Sequence, residues 1–358
     1  PYKKVSTFCC IYLPEFLAGQ TSLRGQWEDT GDKIYMSQKN RPRSGSLGFK
    51  PKVRAKRMYP EIDTYEDTDE EKPLGFAGYK VGMSRVMMID DTEGATQGQE
   101  VAQAVTILEA PPLRVYGARF YVEDPNSGKQ VFTEAWTESP AKELQRATDI
   151  PKDGNMENLE KAKDHSESLE EVRLLVHTQP SRAGLSRKTP ENFELGLGGS
   201  VQSQLELAEE MIGKEIEFSD VFDEGEFSDA VAVTKGKGME GPVQRYGIKK
   251  LGHKTQKKRR KAGNVGPWHP DTLSWKIPLP GQEGFNNRTE LNKRILDHGE
   301  DPEDVQREGG FKNYGEVKSN YIIIKGSVPG PSERLVRLRT AVRKNGSPGN
   351  PEVTYVEK

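Results

Sequence analysis

The sequence predicts a mixed, β-rich α+β protein, and three observations carry that expectation. Short runs rich in Val, Ile and aromatic residues, bounded by Gly and Pro, recur at both ends of the acidic middle of the chain. Glycine numbers 36 and proline 23 among 358 residues, so much of the backbone must be turn, loop or extended arm. Between those runs, residues 134–230 turn acidic and compatible with helix.

The elements follow in order. Residues 39–57 interleave basic and small residues, and Pro42, Gly45, Gly48 and Pro51 block a helix, which leaves an extended arm. EIDTYEDTDEE (61–71) reads as a solvated acidic loop. GFAGYKVGMSRVMMIDD (75–91) reads as two short strands about a glycine turn. VAQAVTILEAPPLRVYGARFYVED (101–124) reads as two more, broken at Pro111-Pro112, and together they suggest a small antiparallel barrel. In VQSQLELAEEMIG, Ser200 is a candidate N-cap, and Leu205, Ala208, Met211 and Ile212 fall on one helical face. DAVAVTKGKG (229–238), NYIIIKGSV and RLVRLRTAV return to strand character.

Charge is distributed unevenly. Lys plus Arg number 53 against 55 Asp plus Glu, yet residues 36–60 carry eight positive charges and no negative one. Residues 61–230 are strongly acidic, and 235–261 then carry eleven positive charges against Glu240 alone. Basic stretches set in an acidic body point to a polyanion partner reached by specific segments. Other classes are excluded. No run of about 18 apolar residues offers a transmembrane helix. Cys9 and Cys10 are adjacent, which rules out a disulfide framework or a Cys-based zinc site. The first methionine is Met36, and MSQKNRPRSGSLGFKPKVRAKR reads as a natural N-terminus, so residues 1–35 are expected to be an upstream extension rather than a signal peptide.

The chemistry resides in 229–270. Gly236, Gly238 and Gly241 let backbone approach an anion closely, and Lys235, Lys237, Arg245, Lys249, Lys250, Lys254, Lys257, Lys258, Arg259, Arg260 and Lys261 supply charge for closely spaced phosphates. Residues 252–264 are almost without apolar side chains, so this part is expected to be an extended loop ordered by RNA. Gly266-Pro267-Trp268-His269-Pro270 mounts a flat ring between prolines, suited to stacking on a base, with His269 beside it. In the arm, Lys39, Arg41, Arg43, Lys50, Lys52, Arg54, Lys56 and Arg57 are the matching phosphate ligands. TKGKGMEG lacks the order of a phosphate-binding P-loop, and LGLGGS (195–200) is read as a plain turn into a helix rather than a phosphate cradle. Glu206, Glu209 and Glu210 are read as solvated carboxylates, the five histidines show no ligand spacing, and no catalytic constellation emerges, so neither metal nor cofactor is expected. The alternative is an enzyme acting on nucleic acid with the Gly/Lys loop as a phosphate clamp. It requires acids or histidines gathered beside that loop.

Phe222, Asp229, Ala232 and Thr234, followed by Gly236-Lys237-Gly238, Gly241 and Arg245, resemble the signature of the universal large-subunit ribosomal protein L-three family. RYGIKKLGHKTQKKRRKAGNVGPWHP is similar to its archaeal and eukaryotic form, and NRPRSGSLGF, GFAGYKVGM, GQEGFNNRTELNKRI and KGSVPGPSERLVRLR follow in the family's order. The resemblance implies a six-stranded translation-protein-type β-barrel with an inserted α/β region, a long basic extension and a basic N-terminal arm. Mapped on this chain it gives the arm at 36–60, the first part of the barrel at 61–133, an acidic α/β insertion at 134–228, a barrel strand and extension at 229–275, and C-terminal barrel strands at 276–358. It implies a structural, non-enzymatic, cytoplasmic protein of the ribosome that binds large-subunit (23S) rRNA early in assembly and touches neighbouring ribosomal proteins, with no membrane or small-molecule substrate. By position, Trp268 corresponds to the tryptophan at the extension's tip near the peptidyl transferase centre. Gln256 stands where eukaryotic members carry a methylated histidine, so that modification does not carry over. The isoelectric point near 6.4 departs from the usual basic ribosomal protein and points to a moderately salt-adapted archaeal source.

Overall fold

The computed structural model describes residues 43–92, 94–149, 154–344, 349 and 351–358. The upstream extension, Lys39 and Arg41 lie outside the described residues. In chain order the elements are β1 (Gly75–Ile89), β2 (Glu100–Glu109), β3 (Leu113–Asp124), β4 (Gly128–Trp136), α1 (Glu157–Asp164), β5 (Leu169–His177), β6 (Asn192–Gly196), α2 (Val201–Met211), β7 (Glu215–Ile216), β8 (Phe227–Val233), β9 (Gly236–Glu240), α3 (Pro242–Tyr246), β10 (Gly281–Gly284), β11 (Asn287–Gly299), β12 (Tyr321–Lys325), β13 (Leu335–Thr340) and β14 (Glu352–Val356). The fold is strand-rich with few helices among the described residues, and its two large sheets are antiparallel throughout. No described helix is long and apolar enough to cross a membrane.

In the first sheet the pairings run β1, β2, β12, β11, β8, β13 and back to β1, so six strands close on themselves. Closure leaves these strands no free edge where they pair. β14 lies outside the ring, adding to the far half of β1 at Val86–Ile89. Burial of β1 follows from this placement. Gly75 to Val81 are buried without alternation because both faces are covered, whereas the second half alternates.

β1 is one strand of 15 residues, not the two short strands expected from its glycines. It is paired along both edges, and the register shift between Lys80 and Gly82 absorbs the irregularity as a bulge instead of a reversal. A second difference concerns β3, expected in the barrel with β2. It pairs instead with β4, β5 and β7 in a separate five-stranded sheet that β6 completes. Pro111 and Pro112 explain the change of sheet, since neither offers the N–H that a continuing ladder would need.

α2 forms where its cap and apolar spacing place it. Ser200 Oγ accepts from the Ser203 backbone N–H at 3.3 Å, Leu205 and Ala208 are buried, and Met211 and Ile212 pack at the core's margin. Gln204 sews the helix to β5 and to the turn before it, donating to Leu197 O and Gly199 O and accepting from Val172 N. One apolar core runs from Phe76, Ile107 and Ile322 in the ring to Val172 and Leu195 in the second sheet and Leu205 on α2. Glu209 and Glu210 pair with Lys163 and Lys214 on the surface, and no described group of acids, histidines or cysteines is placed to hold a metal.

Candidate nucleic-acid interface

The second basic stretch leaves the ring after β8. β9 pairs with β10 across about forty intervening residues, so the chain departs and returns at one place. Gly241 starts α3 with Pro242 at its first position, and Gly247, at φ 64, ends it in the left-handed conformation. From 248 to 280 no regular element forms, and nearly every residue from Gly252 to Lys276 is exposed. This is the extended loop that the scarcity of apolar side chains predicts. A few local bonds fold it, including Leu251 N to Arg259 O at 3.0 Å and Arg259 Nε to Leu251 O at 3.2 Å.

Around Tyr246 the two basic stretches meet. Tyr246 is buried, and the ammonium groups of Lys50 and Lys52 and the guanidinium of Arg245 lie 4.6, 4.8 and 5.2 Å from its ring centre. Gly45, at φ +79, lies so close that a Cβ there would stand 2.8 Å from Tyr246 Cδ1. Lys52 Nζ donates to Arg245 O at 2.7 Å and pairs with Glu283 at 2.9 Å. Arg245 donates to Gln282 O at 2.9 Å, Leu279 O at 3.0 Å and Lys52 O at 3.4 Å. Lys50 Nζ donates to Trp275 O at 2.8 Å and Ile277 O at 3.2 Å. These three cations, read from the sequence as phosphate ligands, are half-buried and direct their donors at the protein's own carbonyls. Further along the arm, Ala55 N bonds Phe285 O at 2.8 Å and the buried Asn286 amide donates to Val53 O at 2.7 Å.

The other cations face outward. Arg54, Lys56, Arg57, Lys235, Lys237, Lys250, Lys254, Lys257, Lys258, Arg259, Arg260 and Lys261 are exposed, as are Arg43, Lys249 and His269. Arg54 lies over Phe285 at 4.9 Å, and Arg57 pairs with Glu61 at 3.3 Å. Lys250 and the run Lys257 to Lys261 line an open concavity of about 620 Å³, with no acid or histidine among the described residues of its wall. Such a wall attracts a polyanion and offers no general base. Gly236, Gly238 and Gly241 are exposed too, and Trp268 is 82% exposed. At the foot of the loop, Lys80 is buried with its ammonium on Val328 O and Gly330 O. Burial, and then the charge of Lys235, hold its pKa below the ordinary lysine value.

Sequence reasoning missed Arg288, whose guanidinium lies 4.9 Å from the Phe49 ring and which lines two shallow hollows with the arm. The motif GQEGFNNRTELNKRI contains it, but the residue adjoins the arm only after folding. A cavity of about 580 Å³ elsewhere, under residues 57–63, is walled by side chains already engaged with one another, with Glu194 accepting from Arg173 and Tyr121.

The family model described as ribosomal protein L3 matches residues 36–357. The chain belongs to that family. It is 45% identical to the large ribosomal subunit protein uL3 of Methanopyrus kandleri over 89% of this chain and 90% of that protein. The uL3 proteins of Halobacterium salinarum and Methanothrix thermoacetophila are 44% and 43% identical, over 90% and 89% of this chain and 98% and 97% of theirs. The L3 family match spans the loop, the described part of the arm and all six strands of the ring. These relatives are named as ribosomal proteins, not as enzymes.

Proposed function

We propose that this protein is a structural, rRNA-binding component of the large ribosomal subunit in the cytoplasm, with no chemistry of its own. In this reading it binds large-subunit rRNA early in assembly, its loop extends toward the peptidyl transferase centre with Trp268 near the tip, and neighbouring ribosomal proteins cover other faces. The closed ring is taken as the translation-protein type of barrel, on the strength of its six strands. The domain boundaries are set as an arm to residue 60, the ring, an α/β part and the excursion after β8.

One observation carries the reading: two basic stretches, far apart in sequence, join at Tyr246 and present an outward array of cations with an all-cationic concavity. An RNA backbone neutralises such an array and releases its own counterions in doing so. The test is salt-dependent binding to deproteinised large-subunit rRNA. Replacing Lys257, Lys258, Arg259 and Arg260 with Ala should weaken binding and flatten the log–log salt slope by roughly 0.7–0.9 for each lost phosphate contact. An unchanged slope would remove the loop from the interface. Trp268→Ala should leave subunit assembly intact while altering peptidyl transfer.

A further inference from the structure

Trp275 is 63% exposed, within a segment where Leu273 is 58% exposed and, across the base of the loop, Met239 on β9 is 79% exposed. The indole does not hang on a slack chain. The main-chain carbonyl of Trp275 accepts the Lys50 ammonium at 2.8 Å, the Ile277 carbonyl accepts the same ammonium at 3.2 Å, and the Ile277 N–H returns to Ser274 O at 3.1 Å. The Lys276 ammonium lies 5.8 Å from the indole. Lys50 is itself held over Tyr246 at 4.6 Å, so a residue of the arm fixes the backbone beneath an exposed ring 225 residues away. A large flat apolar surface kept in water at a fixed place, on a strongly cationic loop, fits a partner with both a π-face and a negative backbone.

We propose that Trp275 is a stacking platform for an unpaired nucleobase, separate from Trp268, and that Lys50 is its positioning residue. The inference rests on the rRNA-binding reading above and adds a base contact to phosphate contacts. Stacking gains affinity without releasing phosphate counterions, so its signature differs from that of the lysines.

The experiment uses the full chain and deproteinised large-subunit rRNA across a potassium chloride series. Trp275→Ala should bind roughly 5- to 100-fold more weakly with the wild-type salt slope, and Trp275→Phe should recover most of the loss. In a Trp268→Phe background, RNA should quench tryptophan emission, and adding Trp275→Phe should abolish the larger part of that quench. Lys50→Ala should weaken binding, and less than additively when combined with Trp275→Ala. If wild type binds while Trp275→Ala binds equally well, or the quench survives Trp275→Phe, the platform is refuted; a protein rather than RNA then covers the ring. Additive losses would refute the role of Lys50. Failure of the wild type to bind rRNA at all would instead overturn the underlying functional reading.

Discussion

Lys52 donates to the main-chain carbonyl of Arg245 at 2.7 Å, and Arg245 returns a bond to Lys52 O at 3.4 Å, joining segments 193 residues apart. This reciprocal clasp, centred on Tyr246, gives the base of the loop a protein-made anchor. The loop beyond it has no such core. The cations of the two basic stretches therefore divide into those that hold the base of the loop together and those that present charge.

The division predicts opposite phenotypes. Arg245→Met leaves Leu279 O and Gln282 O without their donor and should cost about 1–3 kcal/mol of stability, seen in urea unfolding as a lower midpoint with an unchanged m value. Replacing exposed Lys257 and Lys258 with Ala should move the midpoint by no more than about 0.5 kcal/mol equivalent. Equal destabilisation by both would erase the distinction.

Glycines at the loop's base divide in the same way. At Gly284, φ is +69 and a Cβ would stand 2.1 Å from Lys235 O, so Gly284→Ala must force β9 and β10 apart and should cost at least about 2 kcal/mol. At Gly236 a Cβ would meet only Phe285, at 3.7 Å, an ordinary contact. Gly236→Ala should therefore keep or slightly raise thermal stability, while weakening rRNA binding if a phosphate approaches that backbone. A variant of normal stability and normal affinity would show that glycine is not needed there for RNA.

What the sequence made legible follows from which signals are local. α2 could be read because a cap and an apolar face lie within a dozen residues, and the loop because a coreless basic run is visible as composition. Lys50 and Lys52 could not be told from Lys257, because which donors meet carbonyls is decided by a partner some two hundred residues away. β3 has a strand pattern that fixes its faces but not its neighbours, and its sheet was misjudged for that reason. Trp275 carried no Gly/Pro frame like that of Trp268, and only its exposure and the bond from Lys50 distinguish it.

Asp229 is fully buried on β8 and serves the ring. Its Oδ2 accepts from Arg339 Nη2 at 3.1 Å and Nε at 3.3 Å, and its Oδ1 from Asn292 N at 3.0 Å. It thus ties β13 and an irregular point of β11 to β8. Asp229→Ala leaves the Arg339 guanidinium without its buried counter-charge and should cost about 3–5 kcal/mol. Replacing both partners, as Asp229→Leu with Arg339→Met, should recover part of that loss in urea unfolding. A double variant as unstable as the sum of the singles would show that the pair acts separately.

His177, at the end of β5, gives the fold a pH dependence away from the basic loop. It is 1% exposed, its Nδ1–H donates to Thr178 O at 2.9 Å, and Nε2 has no partner among the described residues. Burial lowers its pKa below the ordinary 6.5, outweighing the Thr178 carbonyl, which acts in the opposite sense. Below pH 6.5 the unfolded chain takes up a proton that the folded chain refuses, so the unfolded state binds more protons and stability falls with pH. The loss begins near 6.5 and ends once pH passes below the lowered folded value. His177→Asn keeps a donor near the Nδ1 position and removes the titration. Between pH 7.5 and 5.5, at constant ionic strength, wild type should lose more unfolding free energy than this variant. Parallel pH profiles for the two proteins would show that His177 is not the group responsible.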